Sequence, residues 1–259
     1  MSPLKIRALL LDMDGVLWRD MEAIGDLPSI LAQITAKGFK LAFVTNNATR
    51  TVEQYQEKFR GFKVEAAAEQ IFTSSKATGE YLQKRFPQGG NVYLIGERGL
   101  QEAMQEAGFT IANNECLAVV VGLDRELTYE KLKRAALLIS RGSAFIGANP
   151  DPSLPSPEGD VPGAGSILAA LQAATGIKPL IIGKPERALL DSAMVQLGVS
   201  PSETLVVGDR VETDIAAGQK AGCRTALVLS GVTSESAARA WQPAPDYMEK
   251  DLATLISTL

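Results

Sequence analysis

Two aspartates, Asp12 and Asp14, stand directly behind the leucine run of ALLLDMDGVLW (8–18). In extended chain a spacing of two puts both side chains on the same side, and Gly15 lets the backbone turn sharply behind them. Three further apolar runs end in residues that are expensive to bury: Thr45 and Asn46 after KLAFV, Lys184 after PLIIG, and Asp209 with Asp214 after TLVVG. Three or four carboxylates held together repel. A hard divalent cation removes that repulsion, and Mg²⁺ takes a few carboxylate oxygens while retaining water. Lys184 adds a point positive charge, and the Thr45 hydroxyl with nearby backbone amides can bind anionic oxygens. A metal, a lysine and a hydroxyl facing a carboxylate nucleophile describe a phosphoryl-transfer site.

Composition narrows the alternatives. The 259 residues contain no histidine. That removes the Ser-His-Asp and Cys-His nucleophile systems, imidazole bases and every His-ligated metal site. The two cysteines, Cys116 and Cys223, lie far apart outside any CxxC spacing, which excludes a zinc knot and suits two small apolar fillers. A formal net charge of −4 argues against a general grip on nucleic acid. No apolar run approaches a membrane span, and Asp12 arrives too early for a signal-peptide core, so a cytoplasmic protein without membrane partners is expected.

The elements that must position these residues are short apolar runs alternating with helical patterns. The runs are ALLL (8–11), KLAFV (40–44), NVYLI (91–95), LAVVV (117–121), SAFIG (143–147), PLIIG (179–183), TLVVG (204–208) and TALVL (225–229). Such alternation predicts an α/β fold with a doubly wound, Rossmann-like parallel sheet. Continuous hydrophobicity fits strands covered on both faces. Thr128 reads as the N-cap of the helix in TYEKLKRAALLISRG, with Gly142 past its end. FPQGGN (86–91) and the long Pro/Gly-rich stretch 149–166 read as boundaries of an inserted α/β unit. In open parallel sheets ligands bind outside the carboxyl ends of the strands, so the four polar endings should share one crevice.

The ordered motifs DMDGV, VTNN, GKP and GDRVETD make the chain resemble the haloacid dehalogenase superfamily of aspartate-nucleophile phosphatases. Asp14 to Thr45 spans 31 positions and Thr45 to Lys184 spans 139, room for a large insert only between the second and third motifs. That is similar to the class IIA, NagD-like branch, as are TNNATRT and PGAGS. The resemblance implies core segments at 1–86 and 178–259 with an α/β cap at 87–177. It also implies that Asp12 attacks phosphorus, that Asp14 carries the proton, and that Thr45, Asn46, Asn47 and Lys184 bind the phosphoryl group. Mg²⁺ would be held by Asp12, the Asp14 backbone carbonyl and Asp209, with Asp214 orienting its waters or Lys184.

Plainer roles stand beside these. Asp209 and Asp214 could cap the following helix, Asn46 or Asn47 could cap the helix after KLAFV, and Lys184 could be a solvated charge. A haloacid dehalogenase would not need Asp14, and a non-catalytic phospho-aspartate regulator would show no turnover. The implied substrate is a small phosphorylated metabolite or an aryl phosphate, with Arg50 and Asp151 as expected contacts. A homodimer through the cap is the expectation from family analogy.

Overall fold

The computed structural model describes residues 6–156 and 158–259. The chain forms two compact units, one from Met1–Thr45, Glu53–Phe72 and Lys184–Leu259, the other from Asn46–Val52 and Thr73–Gly183.

The first unit is organised around the strand Ala8–Leu11, buried at every position. It pairs in parallel on both sides, Leu11 facing Val207 of the strand Thr204–Gly208 and Phe43 of the strand Lys40–Thr45. Arg224–Val228 and Tyr247–Glu249 extend the sheet beyond Thr204–Gly208, and Ile71–Thr73 extends it beyond Lys40–Thr45. With no solvated face there is no reason for polar alternation, which is why the sequence shows an unbroken apolar run. Burying Leu9, Leu10 and Leu11 completely contributes on the order of 2 kcal/mol each. The chain builds one side of this strand early and the other side late. The order therefore reverses beside Ala8–Leu11, where connections leaving in opposite directions open a crevice at the carboxyl ends.

The second unit has its own parallel sheet of five strands, in the order Leu180–Ile181, Ala144–Gly147, Ala118–Val121, Gly90–Ile95 and Phe109–Ile111. Val119, Val121 and Phe145 pack with Leu138 and Ile139 of the helix Tyr129–Ser140 and with Leu168 and Leu171 of the helix Ala164–Thr175. Thr128 caps the first of these helices, its hydroxyl accepting the Lys131 amide at 3.2 Å.

Three features depart from the sequence reading. PLIIG, taken as a core run, contributes Leu180–Ile181 to the second unit's sheet, beside Ile146 and Gly147. A short apolar run carries no mark of which of two similar sheets it will join. The irregular stretch 149–166 contains an antiparallel hairpin, Ser153–Ser156 with Gly159–Pro162, hidden in the sequence by its prolines. The second unit also extends beyond 87–177, to Thr73 and Gly183. The helix Ser74–Arg85 belongs to it because Gly79 lies against the Ala103 carbonyl, where even a Cβ would come within 2.9 Å. FPQGG is thus a turn inside the unit. Among the described residues no helix is long and apolar enough to cross a membrane.

Candidate active site

Adjacent strands of the first sheet bring the polar endings together. Asp12 follows Ala8–Leu11, and its amide donates to the Val207 carbonyl at 2.8 Å, continuing the ladder by one residue. Thr45 closes Lys40–Thr45 and is buried. Asp209 follows Thr204–Gly208, and Asp214 lies five residues on, in a widened helical turn, Val211–Ile215.

Lys184 is the hub of this group. Its side chain is 2 % exposed, and its ammonium donates to Asp12 Oδ1 at 2.5 Å and to Asp214 Oδ1 at 2.6 Å. The second Asp214 oxygen accepts the Asp209 and Arg210 amides at 3.2 and 3.0 Å. Asp214 therefore caps the turn and also fixes the lysine, so the two jobs coincide in one carboxylate. Asp209 Oδ2 accepts the Val232 amide at 2.7 Å.

Glycine makes room for Asp209. A Cβ on Gly231 would lie 2.0 Å from its carboxylate oxygen, and one on Gly15 would lie 2.5 Å from it. Gly15 also has φ +84°, a left-handed conformation that side chains disfavour. The sharp turn after Asp14 and the close approach of Asp209 thus share one glycine.

Charge in the cluster does not balance. Carboxylate oxygens of Asp12, Asp209 and Asp214 all lie within 4.8 Å of one another, and all three residues are buried. Lys184 supplies one positive charge against three negative ones. Burial raises the Asp12 carboxyl well above its ordinary range, which the Lys184 charge opposes and the Asp214 and Asp209 charges reinforce. Asp209 is pushed up to about 6, first by burial and then by Asp214. Burial works against the Lys184 ammonium, yet Asp12 and Asp214 outweigh it and hold the proton more tightly than in water. An all-oxygen, buried, under-compensated set of this kind fits a hard divalent cation.

The remaining expected residues are placed differently. The Asp14 side chain is 52 % exposed and lies outside that cluster; its Oδ1 accepts the Trp18 indole N–H at 2.9 Å and stands 3.7 Å from Lys58 Nζ. Asn46 and Asn47 belong to the second unit. The Asn46 amide donates to Asp151 at 3.3 Å, and its carbonyl accepts from Ser74 Oγ and Asn149 Nδ2. Asn47 Oδ1 accepts the Thr49 amide and hydroxyl, closing a local turn ahead of the helix Val52–Gly61. The Arg50 backbone packs against Gly99. Trp18, Lys58, Gly231 and the Val232 amide were not singled out from sequence. The polar ending SGVT after TALVL carried a signal for the last two; Lys58 looked like any charged residue of an amphipathic helix.

This arrangement agrees with what the chain is similar to. A model of haloacid dehalogenase-like hydrolases matches residues 9–110, and a second, HAD-hydrolase-like model matches 181–255. The chain is 38 % identical over 254 residues to an acid sugar phosphatase of Staphylococcus aureus, covering 98 % of each. A p-nitrophenyl phosphatase from Archaeoglobus fulgidus superposes with TM-score 0.93 at 31 % identity, over 98 % of this chain and 100 % of that one. NagD from Escherichia coli K-12 superposes with TM-score 0.88 at 32 % identity, over 96 % and 98 %. The chain therefore belongs to the haloacid dehalogenase-like hydrolase family, as a phosphatase of its class IIA, NagD-like branch.

Proposed function

We propose that this phosphatase is a Mg²⁺-dependent phosphomonoesterase that works through a phosphorylated Asp12, on a small metabolite of the sugar phosphate class. Aryl phosphates would serve as surrogate substrates. The observation that carries the reading is the buried Asp12 clamped by Lys184 within reach of two more carboxylates. The names of the acid sugar phosphatase and p-nitrophenyl phosphatase relatives support the substrate class.

An Asp12 oxygen attacks phosphorus as the bond from phosphorus to the ester oxygen breaks, and the departing oxygen takes the proton of the Asp14 carboxyl. The Asp14 carboxylate then takes a proton from water while that water's oxygen bonds to phosphorus. The bond between phosphorus and Asp12 breaks, which releases inorganic phosphate and restores both aspartates. Lys184 keeps the nucleophile oriented and offsets charge on the transferring group, and the Thr45 hydroxyl, at the end of its strand, would donate to a phosphoryl oxygen. Asn46 and Asn47 are proposed to bind phosphate as well. Asp12, Asp209 and the Asp14 backbone carbonyl would hold Mg²⁺, with Asp214 serving Lys184. When bound, the cation neutralises the carboxylates and the phosphoryl oxygens. Positioning and fixed charge supply most of the acceleration beyond the nucleophile.

Phosphate release from a panel of sugar phosphates and p-nitrophenyl phosphate, with Mg²⁺ and with chelator, tests this reading. Turnover that chelator abolishes and Mg²⁺ restores is expected. A stable phosphoprotein without turnover, or undiminished activity in chelator, would sink it.

A further inference from the structure

Asp14 is held by a device that the site chemistry above does not use. Trp18, fully buried, directs its indole N–H at Asp14 Oδ1. Lys58, with a side chain 6 % exposed, sets its ammonium 3.7 Å from the same oxygen and 4.3 Å from the centroid of the Trp18 ring. The indole is itself gripped, edge-on by Phe59 at 5.0 Å and stacked by Phe62 at 5.5 Å. Lys58 and Phe59 are neighbours on the helix Val52–Gly61, so one helix supplies both the cation and a wall of the indole's seat. A nearly buried ammonium needs charged or π partners, and here Asp14 and the ring face provide them.

We propose that Trp18 and Lys58 are positioning residues for Asp14, which hold Oδ1 and so leave Oδ2 as the oxygen that exchanges protons. The inference rests on the phosphatase reading, in which Asp14 gives a proton to the leaving oxygen and later takes one from water. One N–H donor and one ammonium converge on Oδ1, the first hydrogen-bonded to it at 2.9 Å and the second paired with it at 3.7 Å, and an O–H there would have to displace them. An aspartate without such anchors turns about its last torsion, whose wells are broad and two-fold, and interchanges its oxygens. The anchored carboxyl presents one oxygen in one direction, the geometry that proton transfer in a transition state requires.

The test exploits leaving groups. An alkyl ester such as glycerol phosphate needs its departing oxygen protonated, whereas p-nitrophenolate leaves with little help. Trp18→Phe removes the N–H and keeps an aromatic ring; Lys58→Met removes the charge and keeps length. For each, kcat/KM is measured on both esters, and the ratio is independent of how much of the preparation is folded. A fall of about tenfold for the alkyl ester against about threefold or less for the aryl ester is expected, part of the effect that a general acid supplies. Lys58→Arg should return the ratio toward wild type. An unchanged ratio in both variants overturns the positioning role. Wild-type protein that releases phosphate from neither ester overturns the phosphatase reading instead.

Discussion

The two units carry parallel sheets of similar construction with opposite endings. In the first, three adjacent strands finish in Asp12, Thr45 and Asp209. In the second, Gly90–Ile95, Ala118–Val121 and Ala144–Gly147 lead into Gly96, Gly122 and Ala148. A Cβ on Gly96 would come within 2.8 Å of Leu100 Cδ2, and one on Gly122 within 3.1 Å of it, so the second sheet closes its carboxyl end with hydrocarbon from the helix Arg98–Glu106. The backbone pattern is therefore silent about chemistry. Reactivity comes from the side chains set on it, and among the described residues the buried cluster of like charges lies in the first unit.

The comparison can be broken most forcefully at Asp12. On the proposed mechanism, Asp12→Asn should abolish phosphoenzyme and lower phosphate release by on the order of 10⁵-fold, because the attacking oxygen is lost. Lys184→Met should reduce turnover by roughly 10³-fold, the scale of losing one preorganised charge at the transferring group. In chelator it should also lower the unfolding free energy by about 3 kcal/mol, because Asp12 and Asp214 lose their shared buried cation. Phosphate release reads the first effect and denaturant titration with and without Mg²⁺ the second; unaltered stability would remove Lys184 from its place as hub.

Asp209 gives a smaller effect, with a definite sign. Its proton is held up to about 6 in the folded, metal-free chain but only to about 3.9 when unfolded. The native state thus binds more protons in that window. The Asp209 contribution to stability is full below pH 4 and is lost as pH rises through about 6, by roughly 3 kcal/mol at most. Asp209→Asn should flatten this slope in chelator. Mg²⁺ competes with the same proton, so its apparent affinity should strengthen from pH 5 to 7. In the second unit, Thr128→Ala should cost only about 1 kcal/mol through its lost helix cap. Phosphate release should not change, and a thermal melt beside the assay separates the two effects.

Much of the first sheet was legible because burial on both faces leaves an unambiguous trace: ALLL, KLAFV and TLVVG all became strands. The weak strands escaped for the converse reason. Thr110 and Ile111 are exposed, and Tyr247–Glu249 is only half-buried. Asp12 and Asp209 could be read from strand endings because their positions follow from topology, and Asp214 lies only five residues past Asp209. The grip on Asp14 could not. It depends on which turn of the helix Val52–Gly61 faces Trp18, and helical periodicity leaves that facing undetermined until the helix is docked. Lys184 itself was legible even though its preceding strand was assigned to the wrong sheet, since the chain needs only to return to the cluster after Gly183.

The split of the first unit into three segments has a consequence for biosynthesis. Ala8 pairs with Lys40 on one side and with Thr204, 196 positions later, on the other, so on the ribosome the central leucines wait for most of the chain before their second neighbour emerges. The second unit is almost contiguous, and all of it precedes Lys184. Its sheet can close while the nascent Ala8–Leu11 segment has Lys40–Thr45 on one side but still lacks Thr204–Gly208 on the other. Vectorial synthesis therefore completes the carboxylate cluster last, and until then leaves one edge of the apolar Ala8–Leu11 strand for a chaperone to shield.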